Sequence, residues 1–202
     1  MRVLALLAVI AFAAGVSWTL GPVDASSPAR TQEITKEIQA ELDRFKETIQ
    51  DWANEGAVTA AVAKQNEVGP IPGMTKDEWK KVRRSSDLVK GFMENDAAKS
   101  LAKHQAESKG LVVEAFVSAA KGEKVAFLAK TSSYVHKGSK KFDTPFDTGK
   151  AWQGEPEFDE STQAYQVQVS VPVMVKEKDT DEKPTKRIGV LVIGVDISKF
   201  KK

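Results

Sequence analysis

Two stretches near the end of the chain decide the fold, Tyr165-Gln-Val-Gln-Val-Ser-Val-Pro-Val173 and Ile188-Gly-Val-Leu-Val-Ile-Gly-Val-Asp196. Both are rich in β-branched residues, which favour strands. In the first stretch valines alternate with glutamine, serine and proline, so one face of the strand is apolar and the other is polar. The second stretch is apolar on both faces, which predicts the most buried strand. The charged segment 176–186 between them predicts a solvated hairpin tip.

Three further strands are predicted upstream of this pair. Leu111 to Ser118 and Glu123 to Lys130 are β-prone runs joined by the short turn 119–122, which predicts a hairpin. Trp152 to Phe158 is predicted to pair with the valine-rich strand across the turn-forming cluster 159–162. The polar segment 131–149 is predicted as a long loop, and loops of that length inside a domain tend to be functional.

A long helix is predicted before the strands. Its apolar residues recur at steps of four, four, three, four and three, which is one stripe of a helix. The helix is predicted to begin after Ser27-Pro28 and to run for about ten turns until Gly69-Pro70 ends it. The stripe either packs along one face of the sheet, which we favour, or forms a seam between two copies of the chain. Its residues are Ile34, Ile38, Leu42, Phe45, Ile49 and Trp52.

Three short helices are predicted between the long helix and the first strand. Thr75 forms a capping box with Glu78, and Ser86 and Asn95 can cap two further helices. Together with the long loop, these helices are predicted to cover the face of the sheet opposite the long helix. A basic pair at 83–84 could face an anionic ligand, although a solvated basic face is the commoner arrangement. His104 is predicted to lie on the surface.

The composition argues against several classes of function. Lys plus Arg number 30 and Asp plus Glu 28, and this balance argues against a nucleic-acid partner, which needs a basic face. With no cysteine there is no disulfide and no thiolate metal site. Neither histidine has ligand spacing such as H-E-x-x-H, and no G-x-S-x-G nucleophile motif occurs. We therefore predict a protein that is not an enzyme, with no catalytic residues, no metal and no cofactor.

The first 25 residues read as a secretory signal peptide. Arg2 precedes an apolar run over 3–20, Gly21-Pro22 stops any helix, and Ala25 suits the cleavage position. The alternative is an uncleaved membrane anchor, because an apolar run of this length could just span a bilayer. Either reading predicts a periplasmic or otherwise extracytoplasmic location for one domain over 26–202.

Several motifs resemble the extracellular PAS-like sensor domains called Cache, or PDC, domains. Phe116-Val-Ser-Ala-Ala-Lys-Gly-Glu-Lys-Val-Ala126 is similar to the strand–turn–strand of that family, and Thr131-Ser-Ser-Tyr134 is similar to its T-S-D-Y segment. Segments 158–162, 169–173 and 188–198 are similar to its closing strands. The resemblance covers residues 29–200. It implies an α+β fold with a PAS-like, antiparallel, five-stranded sheet, the long helix on one face, and the short helices and long loop on the other.

The resemblance also implies a small-molecule-binding site between the sheet and its cap, often for carboxylates or amino acids. Asp196 stands where the family often meets a ligand amine, and Tyr134 and Trp152 stand where it lines the pocket. The alternation leaves open whether the glutamine face lines this pocket or is simply wet. The candidate ligand-binding residues are Tyr134, Trp152, Gln166, Gln168, Asp196 and Arg84.

The predicted function is therefore that of a sensor module in signal transduction for a small carboxylate, amine or amino acid. Because no output domain follows the sensor region before Lys202, a membrane-bound signalling partner is expected. A homodimer through the long helix is possible. The alternative function is a structural or dimerisation module of the cell envelope that binds no small molecule.

Overall fold

The sheet and the helices around it are seen in a computed structural model, which describes residues 33–159, 164–176 and 186–200. The predicted signal segment and most of the predicted hairpin tip lie outside these ranges. The helices are α1 Lys36–Ala53, α2 Gly56–Val68, α3 Lys76–Lys81, α4 Asp87–Glu94, α5 Asp96–Glu107 and α6 Lys140–Thr148. The strands are β1 Val112–Ala119, β2 Lys124–Phe127, β3 Trp152–Gln153, β4 Glu157–Asp159, β5 Ala164–Val175 and β6 Lys186–Asp196.

The strands form one antiparallel sheet in the order β2-β1-β6-β5-β3, with β4 also paired to β5. The predicted α+β fold with an antiparallel sheet is confirmed, but the described strands number six rather than five. The strand predicted over 152–158 is two short strands, because Gln153 pairs with Val169 and Glu157 with Gln166 while residues 154–156 belong to neither strand. Pro156 in this gap has no N–H to donate to the ladder.

One face of the sheet carries the apolar core. The alternate valines of β5, from Val167 to Val173, are fully or almost fully buried there, as are Leu42 and Ile49 of α1 and Val62 of α2. The other residues of the α1 stripe pack against the same core. The prediction that the valine face meets the long helix is confirmed, and the stripe faces the sheet. β6 has eight consecutive buried residues, as predicted for a strand that is apolar on both faces, and β5 has a buried run of the same length over 166–173.

Two details of the predicted helices are wrong. Thr35 rather than Ser27 caps α1, and its side chain accepts a hydrogen bond from the Ile38 N–H. The long helix is also divided in two, because it ends at Ala53 and α2 starts at Gly56. Asn54 stands at the break, where its side-chain oxygen accepts a hydrogen bond from the β5 backbone at Met174. An asparagine side chain that bonds outside the helix favours a helix end over a continuous helix.

The short helices do not all cover the same face. α5 contributes Ala97, Ala98 and Leu101 to the core on the α1 side, which corrects the prediction for that helix. The second face is covered by α3, α4 and α6 around an aromatic cluster that includes Trp79, Phe127 and Phe142. In the described ranges, no helix has both the length and the apolar character that crossing a membrane requires.

The segment predicted as a long loop contains α6. Its sequence Lys140-Lys-Phe-Asp-Thr-Pro-Phe-Asp-Thr148 has Pro145 inside the helix. Proline removes a helical hydrogen bond and is therefore typical of loops. The helix forms because Phe142 and Phe146 lie on one side and pack against the aromatic cluster. α6 is the element that brings side chains down onto the polar face of β5.

Candidate ligand-binding site

A cluster of buried polar side chains lies on the sheet face beneath α6. Ser118 of β1, Lys124 of β2 and Ser170 of β5 have no exposed surface, and Gln168 is 8% exposed. In the register Ser118 pairs with Lys124, whereas Ser170 lies on the far side of β6, paired with Val192, which in turn pairs with Phe116. Alternation places these residues on the face away from the valines.

Lys124 is the least expected member of the cluster. Its side chain is fully buried, and its Nζ lies 3.0 Å from the centroid of the Phe116 ring. Among the residues that the structure describes, this Nζ has no hydrogen-bond partner. Burial lowers the pKa of Lys124 well below its ordinary value; Glu114 opposes the shift and Lys141 adds to it. The physical consequence is an amine that gives up its proton more readily than any exposed lysine.

His136 lies on the same aromatic ring. Its imidazole stacks on Phe116 with the ring centroids 4.8 Å apart and the ring planes 19° apart. Its Nε2 is buried and has no hydrogen-bond partner in the described ranges. Burial, with Lys124 and Lys141 adding to it, lowers the pKa of His136 to about 2. The imidazole is therefore neutral at any pH at which the protein is expected to work.

A chain of hydrogen bonds ties α6 to the sheet beside these two residues. Lys141 on α6 donates to the side-chain oxygen of Gln168 over 2.8 Å, and the Gln168 amide donates to Glu114 over 2.9 Å. Gly194 of β6 lies between Gln168 and Glu114 in the register. A methyl group at Gly194 would come within 2.9 Å of the Glu114 Cβ and would also overlap the Gln166 side chain. The glycine therefore leaves the room that these polar side chains occupy.

The two glutamines predicted from alternation belong to this cluster. Gln166 has no exposed surface and its side chain adjoins Gly194. Gln168 forms hydrogen bonds with both Lys141 and Glu114. The wet alternative for this face is therefore wrong, because both side chains are buried against the covering elements.

Three of the other predicted site residues adjoin the cluster through the backbone: Trp152 pairs with Ser170, Asp196 pairs with Gln166, and the Tyr134 carbonyl accepts a hydrogen bond from the Lys124 N–H. Tyr134 is 1% exposed in the aromatic core, and its hydroxyl accepts a hydrogen bond from the Ile71 N–H. Trp152 is half-buried on the edge strand β3. Asp196 ends β6 and caps the following turn by accepting from the Ser198 backbone N–H over 3.0 Å. Arg84 is exposed in the segment between α3 and α4.

Sequence reasoning did not single out Lys124, His136 or Lys141. One usable signal was present, a lysine inside the β-prone run that follows the hairpin turn. His136 and Lys141 stand among other polar residues of the segment predicted as a loop, and nothing in their spacing marks them. Within the described residues, no group of three or more His, Asp or Glu side chains is placed to hold a metal ion.

The second histidine is also buried more than predicted. The His104 side chain is 14% exposed, and its Nε2 lies 2.7 Å from a carboxylate oxygen of Glu55. Its ring stacks on Trp52 with the centroids 4.4 Å apart. The prediction of a surface histidine is wrong, because the break between α1 and α2 turns Glu55 toward α5. This contact joins three helices on the core side and is separate from the polar cluster.

No protein-family model matches the chain, and no curated protein matches its sequence. Among solved structures, it is similar to the sensor domain of the histidine kinase DctB from V. cholerae, at 15% identity and a TM-score of 0.37, over 81% of this chain and 59% of that one. The sensory domain of the Campylobacter jejuni chemoreceptor Tlp3 with isoleucine bound matches at 12% identity and a TM-score of 0.38, over 83% and 66%. The ligand-binding domain of Mlp24 with asparagine matches at 14% identity and a TM-score of 0.34, over 85% and 62%.

These structures are sensor domains of the Cache type, the family that the sequence resembles. The chain spans between 59% and 66% of their lengths. With TM-scores below 0.5 the superpositions are loose, and the likeness assigns no role to any residue of this chain.

Proposed function

We propose that this chain is a small-molecule-binding sensor module and that its ligand binds in the polar cluster beneath α6. The observation that carries the proposal is the pair of buried, unpartnered nitrogens, Lys124 Nζ and His136 Nε2, together with the hydroxyl of Ser118, which pairs with Lys124 and also lacks a partner in the described ranges. Buried polar groups in proteins nearly always have hydrogen-bond partners, since leaving one unpaired costs about 1–3 kcal/mol. Several at one place are expected where a ligand supplies the missing partners.

The ligand of such a site is small. The side chains that would contact it have little or no exposed surface, and α6 lies over them through Phe142 and Lys141. Entry therefore needs α6 and the segment before it to move away from β5, which would break the Lys141–Gln168 hydrogen bond. A ligand that restores contacts on both sides would hold α6 in place, and this is how we propose that binding changes the shape seen by a partner.

The cellular setting of the proposal rests on the sequence. Residues 1–25 as a signal segment place the module in the periplasm or another extracytoplasmic space, with a membrane-bound signalling partner. A homodimer through α1 would have to use its outer face, because the apolar stripe packs on the sheet. That outer face carries exposed ion pairs such as Arg44 with Glu41, which contribute little to association.

A thermal-shift screen tests the proposal. The panel holds acetate, pyruvate, succinate, alanine and ethylamine, and a ligand at about 100 times its Kd is expected to stabilise the folded state by about 2.7 kcal/mol. For a domain of this size that corresponds to a rise in Tm of roughly 5–10 °C. The panel is repeated on Gln168→Met, which removes the link to α6, and on Trp152→Ala and Asp196→Ala.

The variants separate the two possible sites. Loss of the shift in Gln168→Met alone supports the cluster, whereas loss in Trp152→Ala and Asp196→Ala alone would move the site to the positions that the family resemblance implies. A flat response of the unaltered protein to the whole panel would favour the structural module that binds no small molecule.

A further inference from the structure

The charges around Lys124 are unequal. Glu114 on β1 is the carboxylate that acts on it, and that carboxylate already accepts the Gln168 amide. Lys141 approaches from α6, and His136 approaches from the segment after β2 as a neutral ring. The remaining neighbours on the sheet face are the neutral hydroxyl of Ser118 and the ring of Phe116. The site thus presents two amines and one occupied carboxylate.

An ammonium group in this place would lie over the Phe116 ring but would have no hydrogen-bonded counter-ion within the described residues. Burying a charge without a partner is costly, and buried groups shift their pKa and become neutral instead. The lowered pKa of Lys124 follows from this geometry. An amine without its proton has three bonds to nitrogen and a free lone pair, so it can take a proton back if a negative charge arrives beside it.

Resting on the proposed function, we propose that the ligand is a small carboxylic acid that binds together with one proton, which Lys124 holds for as long as the ligand stays. The step is a proton transfer alone: the bond from the proton to a carboxyl oxygen, or to a water in the solvent, breaks and a bond to Lys124 Nζ forms. The result is an ion pair between the ligand carboxylate and an ammonium, inside a site that was neutral when empty.

An amine ligand fits the same site poorly. Its positive charge would lie near Lys141 and near an amine that has no negative charge to offer. A carboxylate instead gains Lys124 as a charge-assisted donor, and the Ser118 hydroxyl beside it is available to donate to a carboxylate oxygen. The inference therefore selects the acid from among the carboxylate, amine and amino acid that the proposed function allows.

Proton uptake sets the pH dependence of binding. At pH values above the lowered pKa of free Lys124, each ligand must bring a proton, so the Kd rises about tenfold for each pH unit. At pH values below that pKa, Lys124 already carries its proton and the Kd is flat. Ligand charge does not change over this range, because carboxylic acids are ionised well below neutral pH.

Isothermal titration calorimetry of the full chain tests this. Acetate, pyruvate and succinate are titrated at one pH in HEPES and in Tris, whose ionisation enthalpies differ, and the difference in apparent enthalpy gives the number of protons taken up. Above the lowered pKa of free Lys124, we expect about one proton for the unaltered protein and a tenfold rise in Kd for each pH unit. Lys124→Met, a change to an apolar chain of similar length, is expected to lose the uptake and to weaken binding at least about tenfold.

Lys140→Met is the matched control, because Lys140 is exposed beside Lys141 at the start of α6. It is expected to bind as the unaltered protein does. Binding of an acid without proton uptake, unchanged binding in Lys124→Met, or binding of ethylamine alone overturns the inference and leaves the proposed function standing. Failure of every acid and every amine to bind overturns both.

Discussion

Replacing Lys124 with methionine should change how the stability of the ligand-free protein depends on pH. In the unfolded chain this lysine is exposed and keeps its proton up to about pH 10.4. In the folded chain burial lowers its pKa well below that value. Between the two pKa values the unfolded state holds one more proton than the folded state, so the free energy of unfolding rises with pH. Methionine takes up no proton in either state.

The magnitude follows from that one proton. Within the window the wild-type free energy of unfolding changes by about 1.4 kcal/mol for each pH unit relative to the variant. As the pH falls from about 10 toward the lowered pKa of Lys124, the wild type should therefore lose stability steadily relative to Lys124→Met. The effects of His136 and of the surface carboxylates are common to both proteins and cancel in the difference. At neutral pH the variant should be the more stable protein, as when other buried charges are replaced by apolar side chains.

Urea unfolding followed by circular dichroism at four or more pH values measures the difference. Lys140→Met serves as the control, and its stability relative to the wild type should not vary with pH because Lys140 is exposed. A constant difference between wild type and Lys124→Met across this range would refute the reasoning. It would mean that Lys124 keeps its proton in the folded state and has a counter-ion.

Two other substitutions test the packing around the site and around the helix break. Gly194→Ala adds a methyl group that overlaps the Gln166 side chain, so we expect the free energy of unfolding in urea to fall by about 1–3 kcal/mol. The control Gly56→Ala, with open space at its Cβ, should be neutral or slightly stabilising. Equal effects of the two substitutions would contradict the crowding at Gly194. His104→Ala removes the stack on Trp52 and the hydrogen bond to Glu55, and should lower the free energy of unfolding by about 1–3 kcal/mol. Lys103→Ala, on the exposed side of the same helix, should change it by no more than about 0.5 kcal/mol. A loss no larger for His104→Ala than for its neighbour would show that the stack is not stabilising.

The alternation of apolar and polar residues along the sequence predicted the sheet well. Alternation in β5 assigned its valines to the core and its glutamines to the opposite face, and both assignments hold because the period of a strand is fixed by the backbone. The doubly apolar run of β6 marked the central strand for the same reason. Helix existence was equally clear from the α1 stripe. The end of α1 could not be predicted, because the break depends on a hydrogen bond between Asn54 and a strand more than a hundred residues away.

α6 was missed because local preference and tertiary packing disagree there. Pro145 disfavours a helix, and the segment is polar apart from Phe142 and Phe146. The Phe142 and Phe146 rings stabilise the helix by packing on the aromatic cluster of the second face. That contact is with residues distant in the sequence, so the local sequence does not show it. Missing α6 also meant missing Lys141, since only a helix in this position brings its amine to Gln168.

The burial of Lys124 is not expected from its position, because β2 is a short edge strand and a lysine on an edge strand normally reaches water. The edge is covered by the segment that follows it. The Lys124 N–H donates to the Tyr134 carbonyl over 3.0 Å, and the His136 N–H donates to the Gly122 carbonyl over 2.8 Å. The segment thus runs beside β2 almost as another strand, with the Tyr134 ring in the aromatic core and the His136 ring on Phe116. Tyr134, selected by family resemblance as a pocket residue, instead contributes its backbone, and that contact is what removes Lys124 from solvent.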